Sequence, residues 1–149
     1  MKRKEFDTCI QKNELIETGD KDTALAQELL KLTTHRQQFW KEANLENKYP
    51  SLYLEGHYEI IKELATAILA LDGWKALNHE CLFAYLKEKR QDTDVDFAYL
   101  LDLKDLRNAI DYRGVNVSID LWKQNKMKIQ LTIKTLTNYV QNKIREKIK

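Results

Sequence analysis

Residues 96–114 read DFAYLLDLKDLRNAIDYRG, and the spacing of their apolar side chains decides what kind of protein this is. At about 100° per residue, Tyr99, Leu103, Leu106 and Ile110 fall on one stripe, with Leu100 on its flank. Phe97, Leu101, Asn108 and Tyr112 fall on a second stripe, nearly opposite the first. The spacing predicts a helix over 96–112, stopped by Gly114. A peripheral helix needs only one apolar face. Two faces imply either a central place in a helical bundle or a second face covered by another subunit. Arg107 lies beside the first stripe, within a turn of Leu103. Asp111, four residues on, is placed to neutralise it in an intrahelical pair that closes the helix.

The flanking sequence has the same helical rhythm. Residues 5–18 carry one weak apolar face, Phe6, Cys9 and Ile10, and predict a short first helix. Gly19-Asp20-Lys21-Asp22 reads as a stop followed by an N-cap. A second helix over 22–45 follows, with Leu25, Leu29, Leu32, Phe39 and Ala43 as its stripe. Asn44 to Ser51, with Pro50, interrupts it. Ile61, Leu64, Ile68 and Leu71 give a third helix over 52–71, ended by Asp72-Gly73. Trp74 to Leu77 reads as a connection and Asn78 as the N-cap of a helix over 79–89, packed through Leu82, Phe83, Tyr85 and Leu86. A loop over 90–95 leads into the helix quoted above. Asn116 or Ser118 caps the last helix, 119–147, whose stripe is Ile129, Ile133, Leu136, Val140 and Ile144.

Composition agrees with few, long helices. The chain of 149 residues has only 4 Gly and 1 Pro, too little turn punctuation for a sheet protein. It is the length of one domain, and its 43% hydrophobic and 32% charged residues are those of a soluble globular protein. The expected fold is therefore an all-α, mostly antiparallel bundle of about five helices. Net charge is only +2, but Lys123 to Lys149 holds eight basic residues against one acidic residue, Glu146. That stretch reads either as dipole compensation on a solvated helix or as a phosphate-facing surface. Cys9 and Cys81 are distant in sequence and form no CxxC, which fits a reducing compartment. With no apolar run long enough to span a bilayer and no signal-peptide core, a cytoplasmic location is expected, with no membrane partner.

Motifs for cofactors, metals and nucleophiles are lacking. His35 reads as a surface residue. His57 shares a face with Ile61, Leu64 and Ile68 and reads as a packing residue. His79, in a first helical turn, reads as a neutral imidazole bonded to an adjacent loop, or as one lent to the Arg107 region from another helix. His79 and Cys81 point to different sides of their helix. Asp92, Asp94 and Asp96 begin like a calcium loop, but Phe97 stands where glycine is required and Leu103 where the bidentate glutamate belongs. No Walker-type or Rossmann glycine loop, GxSxG or Cys-His pair is present, so neither a cofactor nor a metal is expected.

Leu106-Arg107-Asn108 followed by Tyr112 and Gly114 resembles the signature region of HEPN-domain proteins. The stretch LYLEGHYEIIKELATAILALDGWKALNHECLFAYL, residues 52–86, is similar to the long helix, Asp-Gly-aromatic turn and His-Glu helix start of a prokaryotic, largely archaeal branch of that family. The resemblance extends over residues 8–148. It implies a helical bundle that dimerises through the signature helices, here by way of Phe97, Leu101 and Tyr112. It also implies a composite, metal-independent ribonuclease site built from an Arg and a nearby His. Arg107 matches the Arg and Asn108 the polar residue after it, whereas positions 111 to 113 are Asp, Tyr and Arg. In family members silenced by nucleotide attachment to a Tyr, the corresponding position here is Gly114.

A phenol is a poor acid or base at neutral pH, whereas imidazole titrates close to it. The expected function is thus a homodimeric module that holds the phosphate of a nucleotide or RNA through Arg107 and Arg113, or docks a partner such as a nucleotidyltransferase in a toxin–antitoxin-type pair. The alternative is a divergent endoribonuclease with Arg107, Asn108 and Tyr112 as its catalytic set and His79 as an additional acid or base.

Overall fold

Helix α3, Pro50–Asp72, runs through the middle of the molecule and is apolar around most of its circumference. The computed structural model describes residues 5–148, with the side chain of residue 148 left aside. Tyr53, Leu54, Tyr58, Ile60, Ile61, Leu64, Ile68, Leu69 and Leu71 are all buried. A helix that is hydrophobic all round must be enclosed by other elements. Helices α2 (Thr23–Ala43), α4 (His79–Lys89), α5 (Phe97–Arg113) and α6 (Ile119–Ile148) each pack against it, and α1 (Phe6–Gln11) reaches the core through α4. The all-α bundle expected from the sequence is what the chain forms, with six α-helices among the described residues.

The boundaries follow local chemistry. Asp22, Asn78 and Asp96 cap α2, α4 and α5 by accepting from the backbone N–H of Leu25, Cys81 and Tyr99 at 2.9, 2.8 and 3.0 Å. Ser118 Oγ likewise accepts from Leu121 N at 3.1 Å before α6. Pro50 occupies the first turn of α3, where its missing N–H costs nothing.

Four expectations need correction. The predicted first helix stops at Gln11, because Asn13 turns left-handed with φ 56°. Leu15–Glu17 is then a strand, β1, which pairs antiparallel with β2, Trp74–Ala76, in the register Leu15 to Ala76. The stretch expected as a plain connection is therefore half of a small ladder. On α2 the predicted stripe is mostly outside: Leu25, Leu32 and Phe39 are exposed, and the buried positions are Ala26 and Thr33. The inward face is rotated so that small residues let α2 lie close on α3, with Leu29, Leu30 and Trp40 at its margins.

The fourth correction concerns the cysteines. Cys9 on α1 and Cys81 in the first turn of α4 form a fully buried disulfide, with their Cα atoms 5.8 Å apart. A sequence separation of 72 residues hid this contact, and the bond removes the argument for a reducing compartment. No described helix is long and apolar enough to cross a membrane.

Gly56 is set by close approach. A Cβ there would lie 2.3 to 2.5 Å from indole atoms of Trp40, whose ring rests on the α3 backbone. Gly56→Ala is expected to displace that ring and lower stability by about 1–3 kcal/mol, measured by urea denaturation; an unchanged midpoint would refute the packing. Opening the Cys9–Cys81 bond should cost about 2–5 kcal/mol. Comparing denaturation with and without reductant checks this, and a mass that already corresponds to two free thiols before reduction would contradict the bond.

Candidate functional site

Helices α4 and α5 meet so that the start of one faces the end of the other. Between them is an open groove of about 420 Å³ lined by Asn78, His79, Glu80, Lys104, Arg107, Asn108 and Tyr112, with Leu77 at its edge. His79 is fixed from both sides. Asn78 caps the helix it begins, and the disulfide at Cys81 and the bond from Leu77 N to Glu14 O (2.9 Å) tie that helix start to α1 and the strand ladder. The imidazole Nδ1 lies 2.8 Å from the Tyr58 hydroxyl. The partner is thus α3, and the loop expected from the sequence does not hold it. With the phenol donating, the imidazole carries its proton on Nε2. Burial, then the Lys62 and Arg107 charges, hold its pKa below the usual histidine value, so His79 is neutral at pH 7.

Arg107 is held by three contacts. Its guanidinium lies over the Tyr58 ring, 5.7 Å from the centroid, donates to Asn108 Oδ1 at 3.3 Å and pairs with Asp111 at 3.0 Å. The i, i+4 pair expected from the spacing is present. Behind it stands Glu55, whose carboxyl is raised above the usual carboxylate range by burial and then by the adjacent Asp111, with Arg107 opposing. Lys104, buried at 6% exposure, is paired with Glu80 at 2.7 Å and Asp105 at 3.2 Å. The groove therefore contains two cations, each already answered by a carboxylate.

Of the residues expected to act together, the fold unites His79, Arg107, Asn108 and Tyr112 on one groove. Tyr112 projects from it, 77% exposed. Arg113 is exposed in the last turn of α5 and is not among the residues lining that groove, so it forms no cluster with Arg107 within the chain. Phe97 and Leu101 are half-buried against this chain's own core and line a different hollow with Phe6, Phe83, Ala84 and Val95. The two-stripe expectation for α5 is also shifted. The buried positions are Leu100, Leu103, Lys104 and Ala109, while Tyr99, Leu106 and Ile110 are only half-covered.

Sequence reading missed Tyr58, Glu80 and Lys104. Lys104 had a visible signal, since it lies one turn before Arg107 on the same face. Nothing in the sequence pointed Tyr58 toward that face. Among the described residues, one grouping has metal-ligand character, Cys9, Glu14 and Cys81, and its two sulfurs are bonded to each other. No protein-family model matches this chain, and neither a curated protein nor a solved structure matches it.

The two depressed histidines give a pH test. Burial is also the main cause holding His57 low. The unfolded chain takes up these protons near pH 6.5 and the folded chain only at lower pH. Their contribution to stability is complete above 6.5 and is lost as pH falls through the folded values. The thermal midpoint should therefore decline below that pH, and less steeply in a His57→Gln/His79→Gln variant. Glu55 and Glu63, raised mainly by burial, act with the opposite sign but are common to both proteins. Identical slopes in the two proteins would contradict the assignment.

Proposed function

We propose that the chain is a HEPN-like, homodimeric module that holds the phosphate of a nucleotide or RNA in the α4–α5 groove. One observation carries this reading: Arg107, oriented by the Tyr58 ring, lines an open groove with Asn108 and Tyr112 of its own helix and His79 of α4. A planar guanidinium offers two parallel donors to a phosphate, and a neutral imidazole N–H, an amide and a phenol add further donors without repelling the anion. Asp111 is the internal competitor. A phosphate binds Arg107 by displacing or sharing that carboxylate. Tyr112, the most exposed of the groove's aromatics and aliphatics, extends the site toward a second subunit, where Phe97 and Leu101 complete the proposed contact. A nucleotidyltransferase is the proposed protein partner, in an arrangement of toxin–antitoxin type.

The second reading, a metal-independent endoribonuclease, is favoured by the placement of His79 beside Arg107. It supplies the imidazole that positions 111 to 113 lack, from α4 instead of α5. In that reading His79 moves the proton and Arg107 stabilises the charge developing on phosphorus oxygens.

Fluorescence polarisation with labelled single-stranded RNA at two salt concentrations tests binding. Arg107→Ala should weaken affinity by about tenfold and flatten the salt dependence. Asp111→Asn should tighten it severalfold by releasing the guanidinium. Equal affinity in all three proteins would sink the proposal. Incubation of the same RNA with chelator present decides the second reading: cleavage lost in both His79→Ala and Arg107→Ala supports it, and intact RNA with the wild-type protein removes it. Light scattering should give about twice the 17.7 kDa chain mass; a monomer at every concentration would refute the dimer.

A further inference from the structure

His57 and Tyr58 are neighbours on α3 and so point about 100° apart. Tyr58 reaches His79 and Arg107 beneath the first groove, and His57 faces a second one, between α2, α3 and α6, of about 510 Å³. Aromatic rings form its floor. His57 is stacked on Tyr53 with centroids 5.9 Å apart and lies 5.1 Å from Trp122, and Trp40 is 4.7 Å from Tyr53. Tyr53 and Trp122 are fully packed, whereas the Trp40 indole is half-exposed to the groove. Gly56 is what allows that indole to lie against the α3 backbone.

His57 is 8% exposed, and its Nδ1 lies 2.7 Å from the Tyr53 carbonyl oxygen. A carbonyl only accepts, so in the neutral ring Nδ1 carries the proton and Nε2 holds a lone pair. Burial keeps the ring neutral. His57 lines the groove while its Nδ1 is engaged by the carbonyl, so Nε2 is the acceptor the ring has to offer there. An acceptor at the base of an aromatic groove calls for an N–H donor on a flat ligand. The rim is cationic: Lys41 and Lys134 are exposed along it, and Lys126 is tied to Glu46 at 2.8 Å. That ion pair and the bond from Trp122 Nε1 at 3.3 Å hold the Glu46 carboxylate ionised at one end, a fixed acceptor for hydroxyl groups.

We infer that this groove is a second, separate nucleotide site: a base with an exocyclic amine stacks on Trp40 and donates to His57, its ribose faces Glu46, and its phosphate lies on Lys41 and Lys134. The inference does not rest on the Arg107 reading. It gives the basic C-terminal helix a specific role, because Lys126 and Lys134 are the members of that run that reach the groove. The same chemistry is offered by a free nucleotide and by an adenylate within single-stranded RNA.

Titration followed by tryptophan emission, excited where the bases do not absorb, tests it with AMP, UMP and a short oligoadenylate. AMP should quench and saturate, with UMP weaker by about fivefold or more because its single ring stacks less on Trp40. Saturation by the oligoadenylate alone would assign the site to RNA. Lys41→Glu/Lys134→Glu, which changes only exposed rim residues, should weaken binding by about tenfold, and Trp40→Leu should remove both quench and affinity. No quench with any probe, equal saturating quench by AMP and UMP, or affinity unchanged in Lys41→Glu/Lys134→Glu each overturn the inference. So does binding that is lost in Arg107→Ala and retained in Lys41→Glu/Lys134→Glu.

Discussion

The burial of α3 on nearly every side is the constraint from which the rest of the molecule follows. With so little polar surface of its own, this helix is stable only when neighbours exclude water from it, and burial of its large side chains supplies the main driving force for the bundle. Each neighbour is then placed by what it covers. The polar residues of α3 are correspondingly constrained: Glu63 is paired with Arg36 at 3.0 Å, His57 is bonded to the Tyr53 carbonyl one turn earlier, and Tyr58 reaches His79. Buried polar groups that find partners fix the packing in one arrangement, since a slip would strand them.

The same helix presents two chemically different flanks. On the Tyr58 side a guanidinium, an imidazole and a phenol converge, with carboxylates close enough to offset the positive charge. In the proposed phosphate-binding role, recognition there is a matter of competition: an anion gains Arg107 to the extent that Asp111 releases it. On the His57 side the groove is aromatic, with lysines at its rim and one carboxylate fixed in place. Stacking and a single directed acceptor dominate, and charge acts at the periphery. Neither flank depends on net charge, which is why a chain of nearly balanced composition supports both proposals.

The N-terminal segment has a supporting role that local sequence does not reveal. Helix α1 is too short to be stable alone. The disulfide, the β1–β2 ladder and the contact of Phe6 with Trp74 and Tyr85 hold it against α4. In return it fixes the start of α4, and with it His79. Likewise Asp72 accepts from Arg90 through two bonds and from Tyr85, locking the far end of α3 to the end of α4. The geometry of the Arg107 groove is thus set by contacts far from it in sequence.

Periodicity, caps and the scarcity of glycine and proline determined the helical class, the extents of α3, α4, α5 and α6 within about a turn, and the Arg107–Asp111 pair, because these depend on interactions within a few residues. The inward face of α2 was not legible: Leu25, Leu32 and Phe39 have the right rhythm, but Ala26 and Thr33 lie inside because helix–helix distance favours small side chains where the backbones come close. The tertiary structure alone decided that Cys9 meets Cys81, that residues 15–17 pair with residues 74–76, and that His79 faces Arg107. It also brought Trp40, His57 and Lys134 together on one groove. Each of these joins residues tens of positions apart, and only closure of the chain around α3 brings them within bonding distance.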